Sequence, residues 1–249
     1  MDAEFINLTP ENLDREHLCC IIRSRTAHPG VEAKRQWLAR RLEEGHVFRK
    51  LNEKATVFIE YAPLEKAWVP VLGENYVYLY CLWVNGPYKG KGYGRALMDY
   101  CLDDARRQGK SGVCVLGADK QKAWLSDQGF AKKYGFTVAD TAPNGYALLA
   151  LSFDGTLPRF APEAKGQEID EQALTVFYDL QCPYILQTVE KLQGWCDSNG
   201  VPAFFRRVES LEQVKALPCV FNNWAVFYHG KFQTVNLLDE AALKRLLRK

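Results

Sequence analysis

The chain has 249 residues, more than one minimal domain needs, and an apolar content of 47% is enough to bury a core. Its formal net charge of +2 makes no case for nucleic acid or an anionic membrane as partner. No stretch approaches the ~20 apolar residues of a membrane span, and the N-terminus lacks a basic-then-apolar signal pattern. Eight cysteines without a Cys-x-x-Cys pair or zinc spacing point to a reducing, cytoplasmic setting with no bound metal.

Alternation over residues 3–9 predicts a first strand, ended by Pro10, after which Asn12 or Asp14 would cap a helix reaching Arg25. The break His28-Pro29-Gly30 opens a second helix over 31–44, which Gly45 stops. Strands are expected at 46–51 and 55–61, with 66–69, between Pro63 and Pro70, joining the same meander. Residues 76–84, Tyr-Val-Tyr-Leu-Tyr-Cys-Leu-Trp-Val, are apolar or aromatic on both faces, as in a strand covered on both sides. A glycine-rich stretch then leads into a helix over 92–107, with Ala96, Leu97, Tyr100, Cys101 and Ala105 at helical spacing. A strand at 112–117, a helix at 121–134 weakened by Gly129, and strands at 136–140 and 145–153 follow. This order predicts a mixed α/β architecture around a central sheet.

Prolines and glycines then break all periodicity, so residues 154–172 read as a linker between domains at 1–153 and 173–249. In the second domain, strands at 173–180, 203–208, 224–228 and 231–236 alternate with helices at 183–199, 211–216 and 240–247. The resulting βαβ-α-ββα order is a small thioredoxin-like pattern.

The most informative segment is Val84-Asn-Gly-Pro-Tyr-Lys89-Gly90-Lys91-Gly92-Tyr93-Gly94-Arg95, a strand running through a glycine-rich loop into a helix. Backbone N–H groups at such a junction lack helical partners and, with the helix dipole, favour an anion. Lys89, Lys91 and Arg95 add positive charge there. A Walker A loop would need Gly-Lys-Ser/Thr, and a dinucleotide fingerprint Gly-x-Gly-x-x-Gly; neither is present. The order basic-x-x-Gly-x-Gly over residues 89–94 resembles the pyrophosphate loop of the GNAT superfamily, with Lys89 where that family usually has Arg or Gln. The resemblance extends over residues 3–153, through the run Phe130-Ala-Lys-Lys-Tyr134-Gly-Phe136 to the strand at 145–153. His17-Leu-Cys-Cys20, Tyr80-Cys-Leu-Trp-Val84 and the C-terminal extension resemble the GNAT subgroup with a YoaP-like C-terminal domain.

The resemblance implies an N-acetyltransferase with acetyl-CoA as cosubstrate, in which a small-molecule amine or thiol attacks the thioester. It implies that the strands at 76–84 and 112–117 splay apart to admit the pantetheine arm. Backbone groups of Leu82, Trp83 and Val84 would polarise the carbonyl, and Lys89, Gly90, Lys91, Gly92, Tyr93, Gly94 and Arg95 would hold the diphosphate. The tyrosine that protonates the leaving thiolate in many family members is replaced by Ala131. Catalytic candidates are therefore Tyr134, one turn nearer the sheet, and Tyr80 and Cys81, beside the expected thioester. Strand alternation places Tyr78 and Tyr80 on one face and Cys81 on the other. Glu60 and Asp127 are candidate bases.

Cys19 and Cys20 either pack the first helix or line the substrate pocket. Cys182 is a candidate reactive thiol at a helix start, but Ile185 replaces the second cysteine of a dithiol motif; Cys219, beside Pro218, is the thiol that could approach it. The second domain would pack on the first, complete its acceptor pocket or form a homodimer. The alternatives to an enzyme are a thiol-based redox or metal-responsive protein that only binds CoA, and a non-catalytic interaction protein.

Overall fold

The computed structural model describes residues 4–18, 20–21 and 26–248. Cys19 and much of the expected first helix lie outside them. In the described part, residues 10–15 form turns and not a helix, because Asn12 closes the chain on itself: its Oδ1 accepts from the Thr9 N–H at 2.8 Å and its Nδ2 donates to the Asn7 carbonyl at 3.0 Å.

The larger sheet has seven strands. These are β1 (Phe5–Asn7), β2 (Val47–Leu51), β3 (Val57–Pro63), β5 (Tyr76–Val84), β6 (Gly112–Ala118), β7 (Thr137–Ala142) and β8 (Tyr146–Ser152), in the spatial order β1-β2-β3-β5-β6-β8-β7. Every pairing is antiparallel except β5 with β6. The segment expected to extend this meander instead makes a 3-10 turn at Leu64–Lys66 and the short β4 (Val71–Leu72), which pairs with β9 (Arg159–Phe160). The expected linker is thus built into the fold: Phe160, Ala161 and Ala164 are buried, and Asp140 accepts from the Phe160 N–H and from Lys165.

Both faces of this sheet are covered, which explains the unbroken apolar run of β5. On one face, α2 (Tyr93–Arg107) and α3 (Gln128–Lys133) set Leu97, Met98, Cys101 and Ala131 against Val77, Leu79, Val113 and Val115. On the other, Tyr76, Tyr78 and Tyr80 share a core with Trp37 and Leu38 of α1 (Pro29–Leu42) and with Phe221, Ala225 and Phe227.

Those last three belong to the C-terminal region, whose four strands are β10 (Leu174–Tyr178), β11 (Ala203–Arg207), β12 (Trp224–Tyr228) and β13 (Lys231–Thr234), in the order β11-β10-β12-β13. β10 and β11 are parallel and the rest antiparallel, matching the anticipated βαβ-α-ββα order. α4 (Tyr184–Ser198) and α6 (Glu240–Leu246) cover the far side through Val189, Leu192, Leu243 and Leu246; α5 (Leu211–Lys215) precedes β12. Asp239 caps α6, its Oδ1 accepting from the Ala242 N–H at 2.7 Å. Among the described residues, no helix is long and apolar enough to cross a membrane.

Candidate functional site

β5 and β6 pair only where Tyr76, Val77 and Tyr78 face Gly112, Val113 and Cys114. Beyond Tyr78 they part: β5 stays on β3 as far as Val84, and β6 stays on β8 as far as Ala118. The open side of β6 is held by a side chain, since Gln128 Oε1 accepts from the Ala118 N–H at 2.9 Å. Leu79, Leu82, Val115, Leu116, Ser126 and Gln128 line a narrow fissure of about 30 Å³ at this divergence.

The parting strand leads straight to the glycine-rich loop. Gly92 is the N-cap of α2 at φ 81°, and with no side chain it leaves the first-turn N–H groups uncapped. Gly90 is also left-handed, at φ 76°. A Cβ on Gly94 would rest in van der Waals contact with Val84, Leu82 and Phe130, so α2 begins directly over the end of β5. Lys89, Lys91 and Arg95 are exposed around these amides.

On the other side of β5 lies a cavity of about 540 Å³. β3 and β5 supply Phe58, Glu60, Tyr80, Cys81 and Trp83; the loop before α3 supplies Lys122, Trp124 and Ser126. The C-terminal region closes it with Gln181, Cys182, Pro183, Tyr184, Asn222 and Asn223. Ser126 lines both this cavity and the fissure.

Tyr80 and Cys81 both line the cavity, against the alternation expected of a strand. The register on β3 shifts at this point: Cys81 faces Glu60 but Leu79 faces Tyr61. The extra residue is a β-bulge, which re-aims one side chain and places these neighbours on the same side. The Tyr80 hydroxyl accepts the Trp68 N–H at 2.6 Å, and burial pushes its pKa well above the ordinary tyrosine value.

The expected helix at 121–134 forms only from Gln128. Upstream, the Gln121 amide donates to the carbonyls of Lys122, Leu125 and Ser126 and accepts from the Gln128 N–H, which winds the segment into a loop. Asp127 caps α3 through the Phe130 N–H at 3.2 Å, and so serves the helix start. Tyr134 lines neither space; its hydroxyl lies 3.4 Å from the Arg95 carbonyl, and its pKa is pushed up to about 12 by partial burial and by Asp99.

At the cavity floor lies a buried polar cluster. Glu60 accepts from Lys34 at 2.6 Å, from Gln181 Nε2 at 2.8 Å and from His46 Nε2 at 2.9 Å. Burial opposes its ionisation, but the Lys34 charge and the His46 hydrogen bond prevail and hold its pKa below the usual carboxylate range. Burial likewise lowers the His46 pKa, leaving a neutral ring that donates to the carboxylate. Lys34 also donates to the Gln181 carbonyl at 2.7 Å, and Asn223 donates to Gln181 Oε1 at 2.8 Å. A buried lysine reads in sequence like any helix-surface lysine, so this cluster left no signal beyond Glu60 itself, one charge in an apolar strand.

Of the flagged thiols, Cys20 and Cys182 are half-buried and line the cavity with Cys81. Cys219 is fully buried in the core between the two sheets and does not line it. Among the described residues, no group of three or more His, Cys, Asp or Glu is placed to hold a metal ion.

Residues 12–136 match the Acetyltransferase (GNAT) family and residues 202–245 the YoaP-like family. The chain is 34% identical over 245 residues, 98% of each chain, to the Bacillus subtilis (strain 168) protein named Uncharacterized N-acetyltransferase YoaP. Among solved structures it resembles a GNAT family acetyltransferase from Brucella melitensis in complex with acetyl-CoA (17% identity, 64% of this chain and 93% of that one, TM-score 0.41). It also resembles the PaiA N-acetyltransferase of Thermoplasma acidophilum in complex with coenzyme A (16% identity, 61% of this chain and 100% of that one, TM-score 0.41).

Proposed function

The chain belongs to the GNAT acetyltransferase family, and from that premise we propose that it transfers the acetyl group of acetyl-CoA to the primary amine of a small acceptor by direct attack. The observation that carries this reading is the parting of β5 from β6 beyond Tyr78, in line with the uncapped amides at the start of α2. In it, the diphosphate rests on the N–H groups of residues 90–95 among Lys89, Lys91 and Arg95. The pantetheine arm takes the place of the missing strand partner beside Leu82, Trp83 and Val84. The acceptor enters the cavity of about 540 Å³ and meets the thioester near Ser126, the residue common to both spaces. We take residues 1–153 as the catalytic domain and 173–249 as a second domain whose loops complete the acceptor site.

The amine lone pair forms the new N–C bond and the C–S bond breaks. One proton leaves nitrogen and one reaches the departing thiolate. Tyr80, whose ring lines the cavity, is the acid we assign; Cys81, brought alongside by the bulge, orients the thioester. Glu60, bound by three donors, is spent on holding the cavity floor, so the nitrogen proton passes to water at the open mouth. Tyr134 faces the start of α2, where it supports the loop that grips the cofactor.

The test uses purified full-length chain with acetyl-CoA and a panel of primary amines, following thiol release. Amine-dependent thioester cleavage is expected. Tight CoA binding without release for any amine would reduce the chain to a CoA-binding protein.

A further inference from the structure

Trp124 is a bulky residue held at φ 64°, a left-handed conformation that side chains other than glycine rarely adopt. It is 52% exposed. Such strain persists only where the surroundings over-determine it. Here they do: the Gln121 amide pins three carbonyls of the same loop. The effect is to present the indole at the mouth of the large cavity, where its ring centroid lies 6.1 Å from that of Tyr184 at an interplanar angle of 68°. One ring comes from the catalytic half and the other from the C-terminal region. Trp83, 43% exposed, lines the same cavity. Exposed tryptophans gathered at one opening mark a binding surface.

The charges of this cavity are equally selective. Among the described lining residues the one carboxylate is Glu60, and it is already neutralised by Lys34. The other charged group is Lys122, whose ammonium lies 4.8 Å from the centre of the Tyr146 ring. The space therefore offers a second positive charge on an acceptor no counter-ion.

We propose that the acceptor is a monoamine on a flat aromatic body, which lies in the corner formed by Trp124 and Tyr184 with its amino group directed toward Ser126. The inference rests on reading this cavity as the acceptor site. It excludes polyamines and favours arylalkylamines over flexible alkylamines of similar size.

The experiment compares tryptamine, phenethylamine, n-hexylamine and spermidine as acceptors for the full chain, and measures tryptamine binding by calorimetry with coenzyme A present. Tryptamine and phenethylamine are expected to exceed hexylamine in kcat/KM by about tenfold, the equivalent of roughly 1.4 kcal/mol of ring contact, with spermidine poorest. Trp124→Gly removes the ring while suiting the left-handed backbone; it should raise KM for tryptamine and erase its advantage over hexylamine, with KM for acetyl-CoA unchanged. Trp124→Phe should keep most of the preference. The proposal falls if hexylamine or spermidine matches tryptamine, or if Trp124→Gly lowers activity equally with every amine. Tryptamine binding that Trp124→Gly abolishes, without acetyl transfer to any amine, would sink the enzymatic reading and uphold the aromatic site. Acetyl transfer to other amines with no tryptamine binding would do the reverse.

Discussion

The Lys34 ammonium lies 2.6 Å from the Glu60 carboxylate, and their side chains are 1% and 0% exposed. An ion pair this deep adds little net stability, but removing one partner leaves the other charged and unpaired. Lys34→Ala is expected to destabilise the protein by about 3–5 kcal/mol. Because Lys34 also donates to the Gln181 carbonyl, it anchors the loop that closes the cavity. At temperatures where the variant is still folded, KM for the amine should rise with KM for acetyl-CoA little changed. Denaturant unfolding reads the first effect and two-substrate kinetics the second; an unaltered denaturation midpoint would show that the pair does not hold the cavity floor.

Gly30 is where α1 meets that same loop. A Cβ built on it would collide with the Pro183 carbonyl oxygen, a backbone atom that can yield only if its loop moves. Gly30→Ala must therefore push residues 182–184 away from α1. Faster amide exchange at Gln181, Cys182 and Tyr184 and a higher KM for the amine are expected. Exchange identical to the parent chain would mean that helix and loop are not packed as closely as this.

These relationships mark where sequence reasoning reached its limit. The strand-loop-helix of residues 76–107 was legible because glycine, charge and periodicity are local properties that survive without tertiary context. The order of the C-terminal strands was legible for the same reason. The bulge at Tyr80 was not, since Tyr-Leu-Tyr-Cys-Leu-Trp scans as ordinary alternation and the extra residue shows only against β3. Nor was the loop around Trp124, where helical spacing lost to the hydrogen bonds of a single glutamine, Gln121. Lys34 and Gln181 are 147 residues apart, so their meeting depends on how the two sheets share a core.

The loop assignment is tested at Gly92, where two variants separate strain from charge. A Cβ there meets nothing within 4 Å, so the cost of Gly92→Ala is confined to the left-handed backbone, about 1–2 kcal/mol. Gly92→Glu adds to that strain a carboxylate where the diphosphate would sit. Gly92→Glu is expected to weaken acetyl-CoA binding by at least about tenfold more than Gly92→Ala, and the gap should narrow in high salt as charges are screened. Calorimetry at two ionic strengths measures both. Equal affinities for the two variants would remove the diphosphate from this loop.

Asp179 gives the fold a pH dependence with a definite sign. Its side chain is buried, and among the described residues Oδ2 has no hydrogen-bond partner. Burial raises its pKa to about 7, although the Gln181 N–H and the Lys34 charge act to lower it. Glu60 raises it further and Arg41 lowers it. A carboxyl group whose pKa is higher folded than unfolded favours folding while protonated. Its contribution is complete below about pH 4 and is lost as pH climbs to about 7, at up to roughly 1.4 kcal/mol per pH unit. Glu60, with its pKa lowered, acts in the opposite sense but below this window, losing its contribution as pH falls through the acid range. Asp179→Asn keeps an oxygen for the Gln181 N–H and cannot ionise. The variant should therefore gain stability relative to the parent chain between pH 5 and pH 8, as read from urea midpoints. A constant difference across that range would mean that Asp179 titrates at its ordinary value and that water reaches it.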